Sequence, residues 1–261
     1  MSLEFNELKD FLETKVQQYN RPSFVDSDPI QIPHSFTKKE DIEISAFLTA
    51  AIAWGKRSII IQNARRMTEA MGNSPYDFVM NYSGSDKQRF QHIKHRTFNP
   101  QDLDFFIRAF KNIYSNHGGL ETLFSEGFKK EQSVYGAISR FRSVFMQSDH
   151  ENRSEKHVAN PIKKSAAKRI NMFLMWMCRH DTKGVHFGLW NCIPPSELII
   201  PLDVHTGNTS RTLGLLHRKA NDRKSAELLT TTLKQFDAKD PVKYDFALFG
   251  TGVFEQFGKI K

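Results

Sequence analysis

The sequence predicts an all-α fold, and two observations support this prediction. Apolar residues recur at steps of three and four along almost the whole chain, which is the spacing of one helix face, and they seldom alternate as in a half-buried strand. Turn residues such as Gly118-Gly119 divide the chain into many short segments. Many short helices are typical of a compact orthogonal bundle.

The first helix is expected over Glu4–Tyr19. The polar Asn20-Arg21-Pro22 ends its periodic pattern, and a loop rich in Asp and Pro follows from 26 to 35. A second helix is expected to begin near Thr37, whose hydroxyl precedes Glu40 by three residues, as in a capping box.

The apolar run from 58 to 61 is compatible with a strand, but a helix is favoured. Good helix formers at Ala50, Ala51 and Ala53 precede the run, and an amphipathic pattern continues after it. The polar stretch from 147 to 164 is expected to be an exposed loop. Further helices are expected over 75–82, 86–93, 100–115, 120–128, 133–146 and 241–249.

Composition restricts the class of protein without identifying it. The 261 residues are 39% hydrophobic, enough for one large domain or two small ones with an ordinary core. With 37 Lys and Arg against 29 Asp and Glu, the net charge is +8. This excess favours a polyanionic partner, although net charge alone is equally compatible with a merely basic surface.

Several classes are excluded by what the sequence lacks. The two cysteines, Cys178 and Cys192, form no C-x-x-C pair and have no histidines at metal-ligand spacing, so neither a zinc site nor an iron-sulfur cluster is expected. The N-terminus lacks the pattern of a signal peptide, and no apolar run is long enough to span a membrane. We therefore expect a cytoplasmic protein with no metal and no cofactor.

A lysine at the start of an apolar helix is the first candidate for chemistry. From Ala166 to Met177 the helix is apolar nearly all round and is expected to be buried, with Lys168 and Arg169 in its first turn. The helix dipole and the neighbouring Lys163 and Lys164 disfavour the protonated amine, and a neutral amine can attack a carbon electrophile. Alternatively, Lys168 only extends its ammonium group into solvent.

A carboxylate follows the lysine by 35 residues, at the start of another helix. Asp203 comes after Pro201-Leu202 and is expected to be an N-cap that accepts hydrogen bonds from first-turn amides. Its remaining oxygen can also stabilise a developing sugar cation or assist a nucleophile. The two roles are compatible.

The segment Pro201-Leu202-Asp203-Val204-His205, with Arg211-Thr212-Leu213-Gly214-Leu215 after it, resembles the corresponding segment of the helix-hairpin-helix DNA glycosylases. This family removes damaged bases from DNA. The resemblance implies that Asp203 is the catalytic aspartate. It also implies that Lys168 opens the second helix of the hairpin, as the corresponding lysine does in the archaeal 8-oxoguanine glycosylases. In this role Lys168 would attack the sugar C1′ and form a Schiff base.

Motifs along most of the chain resemble the bacterial family called domain of unknown function 2400. They are Asp28-Pro29-Ile30, Ala51-Ile52-Ala53-Trp54-Gly55, Ser165-Ala166-Ala167-Lys168-Arg169, Phe187-Gly188-Leu189-Trp190 and the segment from Asp240 to Gly250. This resemblance supports the fold more than it supports a reaction.

One feature of the glycosylase pattern is missing. The glycine-containing hairpin that lets backbone amides approach a DNA phosphate is replaced by the segment from 159 to 165. Lys163, Lys164 and Arg169 are the candidates to replace those amides with ion pairs to phosphate. The lack of four clustered cysteines separates the chain from the iron-sulfur branch of the family.

Excision of a base from a duplex requires a pocket for the flipped base. By resemblance, Phe249 stacks on the lesion; Tyr244 and Trp54 are further candidates, although most of the 22 phenylalanines must be core residues. His205 and Arg211 are candidate DNA contacts. The alternatives are a structural histidine and a solvated basic face.

Together these features predict a two-subdomain helical bundle like that of the helix-hairpin-helix glycosylases. Residues 37–192 would form a helical barrel subdomain. Residues 1–36 would pack with a C-terminal helical subdomain, 193–261. The predicted function is base excision from double-stranded DNA by a monomer, acting on an oxidised purine such as 8-oxoguanine, with β-lyase activity. The alternatives are a non-catalytic DNA-binding protein on the same scaffold and a protein-interaction scaffold. As a DNA enzyme, the protein would associate with the nucleoid.

Overall fold

The computed structural model describes residues 4–257, and this part of the chain is helical without a strand. Within these residues, no helix is both long and apolar enough to cross a membrane. Its α-helices are α1 Phe5–Tyr19, α2 Lys39–Ala51, α3 Arg57–Ala70, α4 Pro75–Asn81, α5 Pro100–Asn116, α6 Leu120–Glu131, α7 Val134–Phe145, α8 Lys168–Cys178, α9 Val204–Thr212, α10 Arg223–Lys234 and α11 Asp245–Phe254.

The contacts between residues divide the chain into two units. The terminal unit combines residues 1–24 with 161–261, and the central unit is residues 25–160. The borders differ from those expected at 36/37 and 192/193. The lysine-bearing helix α8 belongs to the terminal unit, whereas it was expected in the helical barrel subdomain, 37–192.

Most predicted helices are present, with local differences. The run from 58 to 61 is helical, within α3. Thr37 is not a cap, because α2 begins at Lys39 and Lys38 occupies the N-cap without a side-chain hydrogen bond. Residues 84–90 form a 3₁₀ helix instead of the expected α-helix. The sequence analysis did not identify α10, although Ala226, Leu229 and Leu233 are buried along one face of it.

The core of the central unit is largely aromatic. The buried rings of Phe47, Phe106, Phe110, Phe141 and Phe145 come from α2, α5 and α7 and pack on one another, with centroids 5.0 Å apart for Phe47 and Phe141 and 4.9 Å apart for Phe106 and Phe145. Edge-on and tilted arrangements predominate, as aromatic pairs prefer.

The stretch after α7 is not the exposed loop that its polar sequence predicted. Ser154 and His157 are buried, and they surround the carboxylate of Asp102, which has no exposed surface. Arg153 donates to both Asp102 oxygens, at 2.7 and 3.0 Å, and the Ser154 hydroxyl donates at 2.5 Å. A buried charge is stable only when it is paired and hydrogen-bonded, so the polar residues of this stretch are used inside the fold.

The core of the terminal unit joins both ends of the chain. Leu12 of α1 belongs to the same buried cluster as Ile200, Leu229 of α10 and Leu248 of α11. At Gly250, α1 approaches α11 closely, since a Cβ there would lie 2.3–2.6 Å from ring carbons of Tyr19. Helices α1, α10 and α11 therefore share one hydrophobic core within this unit.

We predict that Gly250→Ala destabilises the protein by about 1–3 kcal/mol, because the added methyl group overpacks the contact with Tyr19. Urea unfolding measures the loss. Gly84→Ala is the matched control, since no heavy atom lies within 4 Å of its added Cβ. Equal stability of the two variants would contradict the close approach of α1 and α11.

A second prediction concerns the acid stability of the Asp102 network. Burial alone would raise the pKa of Asp102, but the neighbouring His157, 3.4 Å away, and hydrogen bonds from Ser154 and the Asn99 amide hold it below its usual range. The ionised carboxylate therefore stabilises the fold fully above the pKa of an unfolded Asp, about 4. This stabilisation is lost as the pH falls through the lower pKa of the folded state.

We expect Asp102→Asn to be less stable than wild type at neutral pH and to lose less stability on acidification. Urea unfolding from neutral to acidic pH measures both effects. Asp10→Asn, which changes an exposed carboxylate, serves as the control. A pH dependence of Asp102→Asn that equals that of wild type would refute the assignment.

Candidate active site

Two helix N-termini of the terminal unit bring a lysine and an aspartate together. Lys168 is the first residue of α8, and Asp203 is the N-cap of α9. The Lys168 Nζ atom lies 3.7 Å from Asp203 Oδ2. The side chains keep 24% and 21% of their surface exposed, so both are accessible to a ligand without being free in solvent. The structure thus places the two residues that the sequence analysis paired across 35 positions in one site.

The two oxygens of Asp203 have different partners. Oδ1 accepts the Thr206 amide at 2.9 Å, which is the expected N-cap hydrogen bond. Oδ2 is the oxygen nearest to Lys168. Because the cap fixes the carboxylate through one oxygen, the other is held in a defined position beside the amine.

The backbone of Asp203 is held as well. Asn221 donates its side-chain amide to the Asp203 carbonyl at 3.1 Å, and its own side-chain oxygen accepts from Arg211 at 2.6 Å. A Cβ on Gly207 would lie 2.7 Å from the Asn221 oxygen and 2.8 Å from Arg211, so a side chain there would displace these two groups. Neither Asn221 nor Gly207 was predicted as a site residue. An Asn-Asp turn before α10 is the sequence signature of Asn221, and Gly207 has none.

Arg211 was expected to contact DNA, but its guanidinium is occupied inside the unit. Its Nε donates to the Arg218 carbonyl at 2.6 Å, and an NH2 group donates to the Lys219 carbonyl at 2.9 Å in addition to Asn221. Burial lowers the pKa of Arg211. The structure therefore assigns Arg211 to closing the loop after α9 and supporting Asp203.

The segment before α8 bends without glycine. Lys164 and Ala167 both adopt left-handed backbone conformations, with φ of 64° and 50°. The Lys164 carbonyl accepts the Arg223 amide at 3.0 Å, and Ser165 pairs with Asp222, so the segment is fastened to the start of α10. A left-handed residue with a side chain is uncommon, and two occur within this short segment.

The basic residues around this bend differ in environment. The side chains of Lys163 and Lys164 are exposed. Arg169 is only partly exposed, and burial lowers its pKa to about 10. The charges of Lys163 and Lys164 are thus exposed to solvent beside the site, whereas the Arg169 side chain is partly buried in the unit.

The candidate base-pocket residues lie in different places. Phe249 on α11 is half-buried. Its ring lies edge-on to the ring of the exposed His205, which follows Asp203 by two residues, and the two ring centroids are 6.3 Å apart. Tyr244 has no exposed surface and donates its hydroxyl to Glu13 at 2.6 Å, so it is a core residue and not a base-stacking one. Trp54 belongs to the central unit, where it is half-buried and stacks on His157 with centroids 5.8 Å apart.

The potential metal-binding side chains are dispersed in the part of the chain that the structure describes. Among residues 4–257, no group of three or more His, Cys, Asp or Glu side chains is arranged to hold a metal ion. Cys178 is buried and Cys192 is half-buried, and neither forms a disulfide. Within the described residues, the site therefore offers an amine, a carboxylate, an imidazole and an aromatic ring.

We predict that stability separates the two roles of Asp203. Asp203→Asn retains a cap acceptor, and its free energy of unfolding is expected to lie within about 0.5 kcal/mol of the wild-type value. Asp203→Ala loses the cap, and its free energy of unfolding is expected to fall by about 1 kcal/mol. Urea unfolding of the two variants at neutral pH measures the difference. If both variants were equally destabilised, the ion pair with Lys168 and not the cap would be the stabilising contact.

Comparison with known proteins adds a family but no activity. A family model described as "Protein of unknown function (DUF2400)" matches residues 28–254. No curated protein and no solved structure matches the chain. The matched region includes both Lys168 and Asp203 and most of the chain, and the protein therefore belongs to the DUF2400 family.

Proposed function

We propose that this protein is a DNA glycosylase with β-lyase activity, on the scaffold of the helix-hairpin-helix superfamily. The observation that supports the proposal is the 3.7 Å approach of Lys168 Nζ to Asp203 Oδ2 at two helix N-termini. A nucleophile beside a group that is oriented by further hydrogen bonds is the usual arrangement for covalent catalysis. Here the Thr206 amide and the Asn221 side chain orient the aspartate.

In the proposed reaction, the Lys168 amine forms a bond to the sugar C1′, and the bond from C1′ to the base breaks. The departing base takes the bonding electron pair and is protonated by solvent. The nitrogen then loses a proton, and the C1′–O4′ bond breaks as O4′ takes its electron pair and a proton. The nitrogen lone pair forms the C=N bond, which leaves a protonated Schiff base. Loss of a C2′ proton drives elimination of the 3′ phosphate, and water finally releases Lys168.

Asp203 is proposed to act by electrostatics. Positive charge develops on the sugar as the base departs, and a fixed carboxylate oxygen stabilises that charge without having to reorganise. The N-cap hydrogen bond supplies this fixation, because it uses Oδ1 and leaves Oδ2 directed toward Lys168.

The proposed substrate is an oxidised purine, such as 8-oxoguanine, flipped out of double-stranded DNA. A flipped base needs an apolar surface to stack on. Phe249 offers part of its ring beside His205, next to the capped end of α9. Lys163 and Lys164 supply exposed positive charge near the start of α8, where phosphates would contact the protein.

The test is borohydride trapping on duplexes that carry 8-oxoguanine or an abasic site, because borohydride reduces a Schiff base to a stable covalent adduct. Wild type is expected to form the adduct and Lys168→Gln to form none, while still binding the duplex. Lys224→Gln removes an exposed lysine of α10 and is the matched control. Asp203→Asn is expected to slow trapping on the order of 10²-fold.

An adduct that persists in Lys168→Gln would exclude this lysine as the nucleophile. Binding without an adduct in wild type would favour the non-catalytic DNA-binding protein. Absence of binding even at low salt would exclude both functions, because contacts with phosphate are strongest there.

A further inference from the structure

The central unit contains a cavity of about 480 Å³ whose charged lining is entirely basic. Lys94, Arg96, Arg153 and Lys156 line it, together with Asn99 and Gln101 at the start of α5. No carboxylate is among the lining residues. A concave surface lined by charges of one sign concentrates the electric field and attracts ions of the opposite sign.

Arg96 occupies a position that is costly for its residue type. It lies in a two-residue turn closed by the hydrogen bonds between His95 and Phe98, and its φ is 53°, in the left-handed region. Its guanidinium lies over Gly55, where a Cβ would come within 2.8 Å of it. Residues held in sparsely populated conformations cluster at functional sites, so the Arg96 side chain is a candidate functional group.

The remaining cations differ in how they are held. Arg153 is fixed by its two hydrogen bonds to Asp102 and by a third, from NH2 to the Thr97 carbonyl at 3.1 Å, and it lies 3.5 Å from the exposed Glu151. Lys94 and Arg96 are exposed, and neither makes a hydrogen bond or ion pair with another described residue. Arg153 is therefore held in place on one side of the cavity, whereas Lys94 and Arg96 are available to a ligand.

We propose that this cavity, the Arg96 pocket, binds a phosphate group. A guanidinium matches two oxygens of a phosphate at once, and an ammonium adds a point charge. The positive end of the α5 dipole contributes in the same direction, and α5 has 17 residues. Arg153 and Asp102 neutralise each other, so the net positive charge of the lining comes from Lys94, Arg96 and Lys156.

The phosphate group belongs either to a free phosphomonoester or diphosphate, or to a nucleic-acid backbone. Both present the same tetrahedral oxyanion to Arg96 and Lys94. The pocket lies in the central unit and the inference does not rest on the proposed reaction at Lys168, so the two proposals can fail separately.

The test is calorimetric titration with inorganic pyrophosphate at low ionic strength. Arg96→Gly removes the guanidinium but suits the left-handed turn, so the fold is retained while affinity falls at least about 10-fold, the equivalent of one charge-assisted contact. Lys94→Gln is expected to weaken binding in the same direction.

The matched control is Gln132→Gly. Gln132 is also a left-handed residue of the central unit, with φ of 47°, but it lies at the end of α6 and outside the pocket. The substitution removes the same kind of strain from a left-handed backbone position. It is expected to leave pyrophosphate affinity unchanged. Lys168→Gln is expected to bind pyrophosphate as wild type does, which separates this proposal from the proposed function.

Competition identifies the source of the phosphate. Displacement of a bound unphosphorylated oligonucleotide by pyrophosphate, lost in Arg96→Gly, would assign the pocket to backbone phosphates. Pyrophosphate binding without such displacement would assign it to a free phosphate compound. The proposal is overturned if wild type shows no saturable pyrophosphate binding, or if Arg96→Gly binds as tightly as wild type.

Discussion

The cap on α9 is the contact on which the candidate active site depends. Asp203 begins the helix by accepting the Thr206 amide with one oxygen, and this contact fixes the other oxygen beside the Lys168 amine. An unmet amide at a helix N-terminus is costly, so the cap is favoured by folding itself. The same carboxylate therefore serves stability and supplies an oriented charge.

Around this contact the chain uses its polar groups to hold the backbone. Arg211 and Asn221 close the loop after α9 and support the Asp203 carbonyl. In the central unit, Arg153 plays a similar part when it binds the buried Asp102. In both units, arginines that look like surface charges in the sequence fasten irregular segments to helices.

Left-handed residues with side chains occur beside both proposed sites. Lys164 and Ala167 bend the segment before α8, and Arg96 occupies the turn before α5. Each position costs free energy that glycine would avoid, and each lysine or arginine there supplies a charge that glycine lacks. The Lys168 site and the Arg96 pocket lie in different units and have this backbone feature in common.

Periodicity and capping are local properties of the chain, so the helical class, most helices and the N-cap role of Asp203 can be predicted from the sequence. The approach of Lys168 to Asp203 and the burial of individual polar residues depend on how the folded chain packs. Tyr244 is buried in the core, and Arg211 is hydrogen-bonded to the loop after α9. The stretch after α7 packs over Asp102. Burial depends on neighbours distant in sequence, and residue type alone does not encode those neighbours.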